Sequence, residues 1–269
     1  MNKIEDIKIG NSINLFNGDC LEVMDILIER GVVVDAIITD PPYGTTACKW
    51  DNIIPFDEMW LRLNKLIKPN GAIVLFGSEP FSSALRMSNI KNYKYDWVWR
   101  KTKYNSGFAH AKNSPLKKHE NISVFSFGKV AHKSQSKNRM EYYPQGLLKC
   151  EKTRKKPTKY REEEVSFGKR PSHRDTFQEF TNYPQSILEF DLEVKGKPVH
   201  PTQKPVALME YLIKTYTNEN ELVLDFTCGS GSTLVGCLNT NRRGIGIELD
   251  EKYFNIAKER IEKVKGETI

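Results

Sequence analysis

A chain of 269 residues with 39% apolar side chains is long enough for one large α/β domain, with or without an insertion, and too apolar to be wholly disordered. No apolar run approaches the length of a bilayer span, the charged start Met1–Asn14 predicts no secretory leader, and five cysteines without a CxxC pair predict a reduced cytoplasmic protein with no thiolate metal site. The net charge of +7 is uneven: residues 100–174 hold 20 Lys and Arg against six Asp and Glu, net +14, while the remainder sums to −7, so one region is expected to meet a polyanion. A solvated insertion whose charges only maintain solubility is the competing reading.

Along the chain, Ile13–Asn17 reads as a strand, and Leu21, Met24, Leu27 and Ile28 recur at helical spacing. Val32–Thr39 reads as an apolar run rich in β-branched residues, the pattern of a strand covered on both faces. Phe56, Met59, Trp60, Leu63, Leu66 and Ile67 mark a helix that stops at Lys68-Pro69-Asn70-Gly71. Ala72–Phe76 is a further buried strand, Pro80 suits the first turn of a helix, and Tyr95–Trp99 and Ile122–Phe127 read as two more strands. From Gly128 to Lys197 the periodicity fades and Lys, Arg, Ser, Pro and Tyr dominate, too long a stretch for a plain loop. Beyond it come a helix with Val206, Met209, Leu212, Ile213 and Tyr216 on one face, strand Leu222–Asp225, a helix from about Thr233, strand Gly244–Glu248 and helix Tyr253–Val264. This alternation predicts an α/β fold with a doubly wound, mostly parallel sheet.

Two sites follow from the order of elements. Asp225-Phe226-Thr227-Cys228-Gly229-Ser230-Gly231-Ser232-Thr233 lies between a strand and a helix, where glycines let the backbone approach a ligand. Glu248 ends the next strand, where a carboxylate can accept both hydroxyls of a ribose. The third glycine of a dinucleotide fingerprint is replaced by Leu234, which favours an adenosine ligand without a pyrophosphate, and S-adenosylmethionine fits. The second site is Asp40-Pro41-Pro42-Tyr43, directly after the buried strand. Asp40 and the Pro41 carbonyl are acceptors for the two hydrogens of an exocyclic amine, and Tyr43 offers a flat face to a base turned out of a duplex. Alone, Asp-Pro-Pro is as often a rigid turn.

Together these residues resemble the amino-methyltransferases of DNA, which carry a D/N/S-P-P-Y/F/W motif and a glycine-rich turn. The order Asp40–Tyr43, basic segment, Asp225–Thr233 matches the permuted beta class, as do His200-Pro-Thr-Gln-Lys-Pro205 and Asn17-Gly-Asp19-Cys20. The resemblance spans about 1–128 and 198–263. It implies a Rossmann-like methyltransferase fold in three parts: a catalytic half at 1–128, a basic target-recognition insertion at 129–197 and a cofactor-binding half at 198–269. It further implies that Asp19 and the Cys20 backbone meet the adenine of S-adenosylmethionine and that Glu248 takes the ribose. Asp225, Phe226 and Gly229–Thr233 would surround the methionine part, with His200 and Thr202 near its carboxylate, and Asp40 facing both cofactor and target. His119-Glu120 and the stretch from Trp99 to Asn105 are placed by the resemblance around the target pocket. Thr227 departs from the usual family pattern.

The resulting expectation is methyl transfer to N6 of adenine in double-stranded DNA, with Lys152, Arg154, Lys155 and Lys156 among the DNA contacts. Transfer to N4 of cytosine uses the same geometry and remains open, although an aspartate in first position leans toward adenine. A non-catalytic, methyltransferase-like DNA-binding subunit is the alternative from another class. The resemblance allows a homodimer and a cognate restriction endonuclease as further partners, and specifies neither.

Overall fold

The computed structural model describes residues 4–45, 51–103, 107–108, 111–131, 137–154, 176–191 and 203–267. In chain order the elements are β1 (Glu5–Ile9), β2 (Ile13–Asn17), α1 (Cys20–Glu29), β3 (Val34–Thr39), α2 (Phe56–Leu66), β4 (Ile67–Gly77), α3 (Phe81–Ser88), β5 (Tyr93–Arg100) and β6 (His119–Phe125). They continue with β7 (Leu148–Arg154), β8 (Thr176–Thr181), β9 (Ile187–Glu189), α4 (Val206–Tyr216), β10 (Leu222–Asp225), α5 (Ser232–Asn239), β11 (Arg243–Glu248) and α6 (Glu251–Glu267). The chain divides into a larger unit, Met1–Tyr143 with Ser186–Ile269, and a smaller one, Pro144–Gln185.

In the larger unit the described residues form one nine-stranded sheet in the order β1-β2-β11-β10-β3-β4-β6-β5-β9. The run from β2 through β4 is parallel throughout. β6 is antiparallel to both β4 and β5, and β1 forms an antiparallel edge on β2. Helices cover both faces. Ile37, Ile73 and Leu75 face Val23, Met24, Met59, Leu63 and Leu85 of α1, α2 and α3. Ala36, Ile38 and Val74 face Leu208, Leu212, Leu234 and Phe254 of α4, α5 and α6. Every residue of β3 is therefore buried, which is why it shows no apolar–polar alternation, and its one charged member, Asp35, is met by the Leu222 amide at 2.8 Å and by Lys68. The fold is the doubly wound, mostly parallel α/β architecture that the alternation of elements predicts.

Several boundaries differ from the sequence expectation. Val32 lies in the turn that caps α1 and not in β3, because Gly31, with φ +68°, reverses the chain and the Val32 amide donates to the Leu27 carbonyl at 3.0 Å. β4 starts at Ile67 instead of Ala72. The pairing jumps from Val34↔Ile67 to Ala36↔Ala72, so residues 68–71 form an irregular stretch in which Pro69 needs no ladder donor. β6 stops at Phe125, since the Ser126 amide turns to the Asn92 carbonyl at 3.0 Å and its hydroxyl to the Gly71 carbonyl at 2.7 Å. β1 and β9 had no apolar period to announce them: they are short edge strands, mostly exposed. In the smaller unit β7 and β8 pair antiparallel, with an irregularity between Lys149 and Lys152.

Candidate active site

Because β2, β11, β10 and β3 are parallel neighbours, their carboxyl ends lie along one edge of the sheet. Asp19 follows β2, Asp40 follows β3, the glycine-rich turn follows Asp225 of β10, and Glu248 ends β11 opposite Asn17. Between these ends lies a cavity of about 510 Å³. It is lined by Asp19, Cys20, Asp40–Tyr43, Asp225–Ser230, Ser232, Thr233 and Glu248, and on its other side by Trp99, Lys101, Glu120, Gln203 and Lys204. Gly231 does not line it. At φ +78° this glycine lets α6 pack close, and an added Cβ would lie 3.1 Å from that of Ala257.

The turn side is held by hydroxyls and backbone amides. Asp225, 3% exposed, accepts from the Thr39 hydroxyl, from the Thr233 hydroxyl at 2.5 Å and from the Thr227 amide at 3.2 Å. Burial pushes its carboxyl up to about 6 against those bonds. Glu248 accepts from the Gly229 amide on one oxygen and the Asp250 amide on the other, at 2.8 and 2.9 Å, leaving a lone pair on each for further donors. Burial pushes it up to about 7. Asp19 caps α1 through one oxygen, accepting from Leu21 and Glu22 amides at 2.8 and 3.2 Å. Arg260 of α6 donates to the Ser230 carbonyl, and to its hydroxyl at 2.8 Å, fixing the turn from behind.

The tetrapeptide side is held by charges. The Tyr43 hydroxyl donates to Oδ1 of Asp40, and Lys204 Nζ donates to Oδ2. Lys204 Nζ also lies 3.4 Å from Glu120 Oε2, and Lys101 Nζ lies 2.5 Å from Glu120 Oε1. Burial raises Asp40 above the usual carboxylate range, opposed chiefly by Lys204. Burial would pull Lys204 down, but Asp40 and Glu120 outweigh it and keep the ammonium charged. Burial, then Asp40, pushes the Tyr43 phenol well up. The backbone after the prolines is fixed by Asp51, which accepts from the amides of Tyr43, Gly44 and Thr45 at 2.8–2.9 Å. Thr227 joins the two sides, donating to the Asp40 carbonyl at 3.1 Å with its hydroxyl 3.0 Å from that of Thr39.

The family model for DNA methylase matches residues 34–259. The chain belongs to the DNA methylase family. It is an S-adenosylmethionine-dependent DNA methyltransferase. The methylase is 29% identical over 243 residues to the type II methyltransferase M.HpaI of Haemophilus parainfluenzae, covering 85% of this chain and 68% of the relative. The crystal structure of the M1.HpyAVI–SAM complex superposes with a TM-score of 0.59 at 26% identity, covering 92% of this chain and 99% of that one. The cytosine-N4-specific PvuII DNA methyltransferase shares the fold, with a TM-score of 0.58 at 16% identity over 95% and 91% of the two chains.

The structure of the methylase thus brings Asp19, Cys20, Asp40–Tyr43, Asp225, Phe226, Gly229, Ser230, Ser232, Thr233 and Glu248 to one cavity. His200, Thr202, Lys155 and Lys156 lie outside the described residues, as does Trp50. Lys152 and Arg154 are on β7 of the smaller unit. Sequence reasoning placed Lys101 only as part of the stretch from Trp99 to Asn105 around the target pocket, and gave Lys204 no role of its own, although it stands inside the quoted His200–Pro205 motif. Thr227, which read only as a departure from the family pattern, is the hydroxyl that links turn and tetrapeptide. Among the described residues no cluster of His, Cys, Asp and Glu fits a metal ion, and no helix is long and apolar enough to cross a membrane.

Proposed function

We propose that the chain methylates N6 of adenine at a specific DNA sequence, with Asp40, Pro41, Pro42 and Tyr43 at the reacting amine. The observation that carries this reading is the carboxylate of Asp40 at the sheet edge, in the same cavity as Glu248 and the glycine turn. The residues present suit S-adenosylmethionine: Glu248 retains acceptor capacity for two ribose hydroxyls, and a cavity lined by Asp19, Asp40, Asp225 and Glu248 complements a sulfonium and an ammonium. When bound, S-adenosylmethionine supplies an electrophilic methyl group on positively charged sulfur.

In this reading, Asp19 and the Cys20 backbone hold the adenine of the cofactor, Phe226 with Gly229, Ser230, Ser232 and Thr233 encloses its methionine part while Gly231 shapes the turn behind them, and His200 and Thr202 are assigned to the carboxylate. Asp225 acts on the turn, because its carboxylate is already committed to Thr39, Thr233 and Thr227. Asp40 and the Pro41 carbonyl accept the two N–H groups of the target amine. This draws nitrogen toward a tetrahedral form whose lone pair can attack carbon. As the new N–C bond forms and the C–S bond breaks, nitrogen becomes positive and Asp40 takes up its surplus proton. Tyr43 holds the extruded base by its ring. The basic stretch that includes Lys152, Arg154, Lys155 and Lys156 contacts phosphates and contributes to target recognition.

Single-molecule sequencing of DNA from cells expressing the chain tests this. The expected result is N6-methyladenine in one sequence context. N4-methylcytosine in its place would overturn the choice of base, and unmodified DNA from cells that contain folded protein would overturn the activity.

A further inference from the structure

The oxygens of Asp40 have unlike partners. Oδ1 is held by a neutral hydroxyl, that of Tyr43, and Oδ2 by an ammonium, that of Lys204. The ammonium belongs to a series of four charges, Lys101–Glu120–Lys204–Asp40, whose signs alternate and sum to zero. Its members are sheltered: side-chain exposure is 17% for Lys101, 13% for Glu120, 8% for Lys204 and 21% for Asp40. Both cations also sit over aromatic rings, Lys101 Nζ 5.0 Å from the Trp99 centroid and Lys204 Nζ 5.2 Å from that of Phe76. All four groups line the cavity.

We infer that Lys204 is a positioning residue that commits one oxygen of Asp40, so that the other is the seat which the Tyr43 hydroxyl yields to the target amine. The inference rests on the reading of Asp40 as the acceptor for that amine.

The physical difference between the two partners decides which one leaves. A buried ammonium that lets go of its carboxylate leaves two uncompensated charges, a large penalty. A phenol hydroxyl that lets go exchanges one neutral hydrogen bond for another when an amine N–H arrives, with little net change on Asp40. Lys204 also opposes the protonation that burial favours at Asp40, and a protonated carboxyl would lose acceptor capacity. Glu120 acts the other way. It shares the Lys204 ammonium and adds a negative charge near Asp40, so it raises the affinity of Asp40 for a proton. A buried ion series contributes weakly to stability, so its alignment on the acceptor carboxylate is better explained by what it does to that carboxylate.

The test uses the full chain with saturating S-adenosylmethionine and DNA, and follows single-turnover methyl transfer against pH. The groups that face the series are Tyr43, Asp51, Lys117 and Asp225, and they stay the same in every variant, so differences between profiles report on Asp40. Lys204→Met should bind cofactor within about threefold of wild type, transfer methyl at least about a hundredfold more slowly at pH 7, and move the acid limb of the profile up by about one pH unit or more. Lys204→Arg should restore most of the rate and the limb. Glu120→Gln should move the limb in the opposite direction, to lower pH, a reversal that a purely structural role would not give. Wild-type rate and profile in Lys204→Met would overturn the inference. If Lys204→Met does not fold, Glu120→Gln decides: an unmoved or raised limb overturns it. Asp40→Ala separates the two claims. If it transfers methyl like wild type, the reading of Asp40 fails and the inference with it. If it is inactive while Lys204→Met and Glu120→Gln behave as wild type, only the role of Lys204 fails.

Discussion

The two walls of the cavity are built from different chemistry. Around Asp225 and Glu248 the partners are hydroxyls and backbone amides, supplied by the turn, by Thr39 and by the start of α6. Around Asp40 they are a phenol and a lysine that is itself shared with a second carboxylate. Neutral, short-range partners fix a shape and leave spare lone pairs, which suits holding a cofactor the same way in every cycle. A balanced set of buried charges opposes the protonation that burial favours at a carboxylate while leaving one of its neutral bonds open to exchange, which suits a site where a base must enter and leave. Lesions on the two walls should therefore affect different measurable quantities.

Asp40→Ala should give the largest effect. Methyl transfer should fall by about a thousandfold or more, the order seen when a catalytic group within a concerted set is removed. Cofactor affinity, measured by calorimetry, should stay within about tenfold. A parallel loss of both would mean that the walls are not separable.

Tyr43→Ala should lower kcat/KM for DNA about 5- to 150-fold, the equivalent of about 1–3 kcal/mol of base stacking. Tyr43→Phe keeps the ring, which packs 5.1 Å from that of Phe81, and removes only the hydroxyl that has to leave Asp40. It should retain most activity. A mispaired target base should partly rescue the alanine variant, because extrusion then costs less. Equal damage from Phe and Ala would transfer the role from ring to hydroxyl.

On the other wall, Glu248→Ala should weaken S-adenosylmethionine binding by about 1–3 kcal/mol, the usual loss for charge-assisted hydrogen bonds. The same residue gives a pH signature with opposite signs for two observables. Protonation of Glu248 removes its charge and acceptor capacity, so cofactor affinity should fall as pH drops through about 7. A carboxyl whose pKa is higher folded than unfolded binds its proton more tightly in the folded state and opposes folding where both states are ionised. For Glu248, at about 7, and Asp225, at about 6, that cost is complete above about 7. It is relieved as pH falls toward the ordinary carboxylate value. The free protein should therefore melt at higher temperature near pH 6 than near pH 7.5, and Glu248→Gln should shrink both trends. Affinity and stability that fall together on acidification would contradict this wall's account.

The smallest effect concerns neither wall. Replacing Lys152, Arg154, Lys155 and Lys156 with alanine should flatten the log–log salt dependence of DNA binding by up to about 3–4 units if all four meet phosphates. Cofactor affinity should be unchanged. A salt slope equal to wild type would place the DNA footprint elsewhere.

Much of the scaffold of this site was legible in the sequence, for physical reasons. Strands buried on both faces, such as β3 and β10, must be largely apolar, and the aspartates they carry, Asp35 and Asp225, are each met by hydrogen-bond donors. Asp40 and Glu248 are polar residues that interrupt or end such runs, and parallel topology puts the ends of neighbouring parallel strands along one edge. The partners of those residues were harder to read. Lys204 and Glu120 are 84 positions apart, and a lone lysine in a motif carries no sign that it will be buried against a carboxylate. Thr227 is one of many threonines until Thr39, 188 positions away, is brought beside it. The edge strands β1 and β9 were missed because exposure on one side removes the apolar signal on which strand recognition depends.

The central claim is that Asp40 directs a methyl group to the amine of adenine. It is tested most directly by incubating purified protein and unmethylated DNA with S-adenosylmethionine carrying a labelled methyl group, then digesting the DNA to nucleosides. The account predicts label in N6-methyladenosine's deoxy form and none elsewhere. Label in N4-methyldeoxycytidine, or no labelled nucleoside from protein that binds both cofactor and DNA, would contradict it.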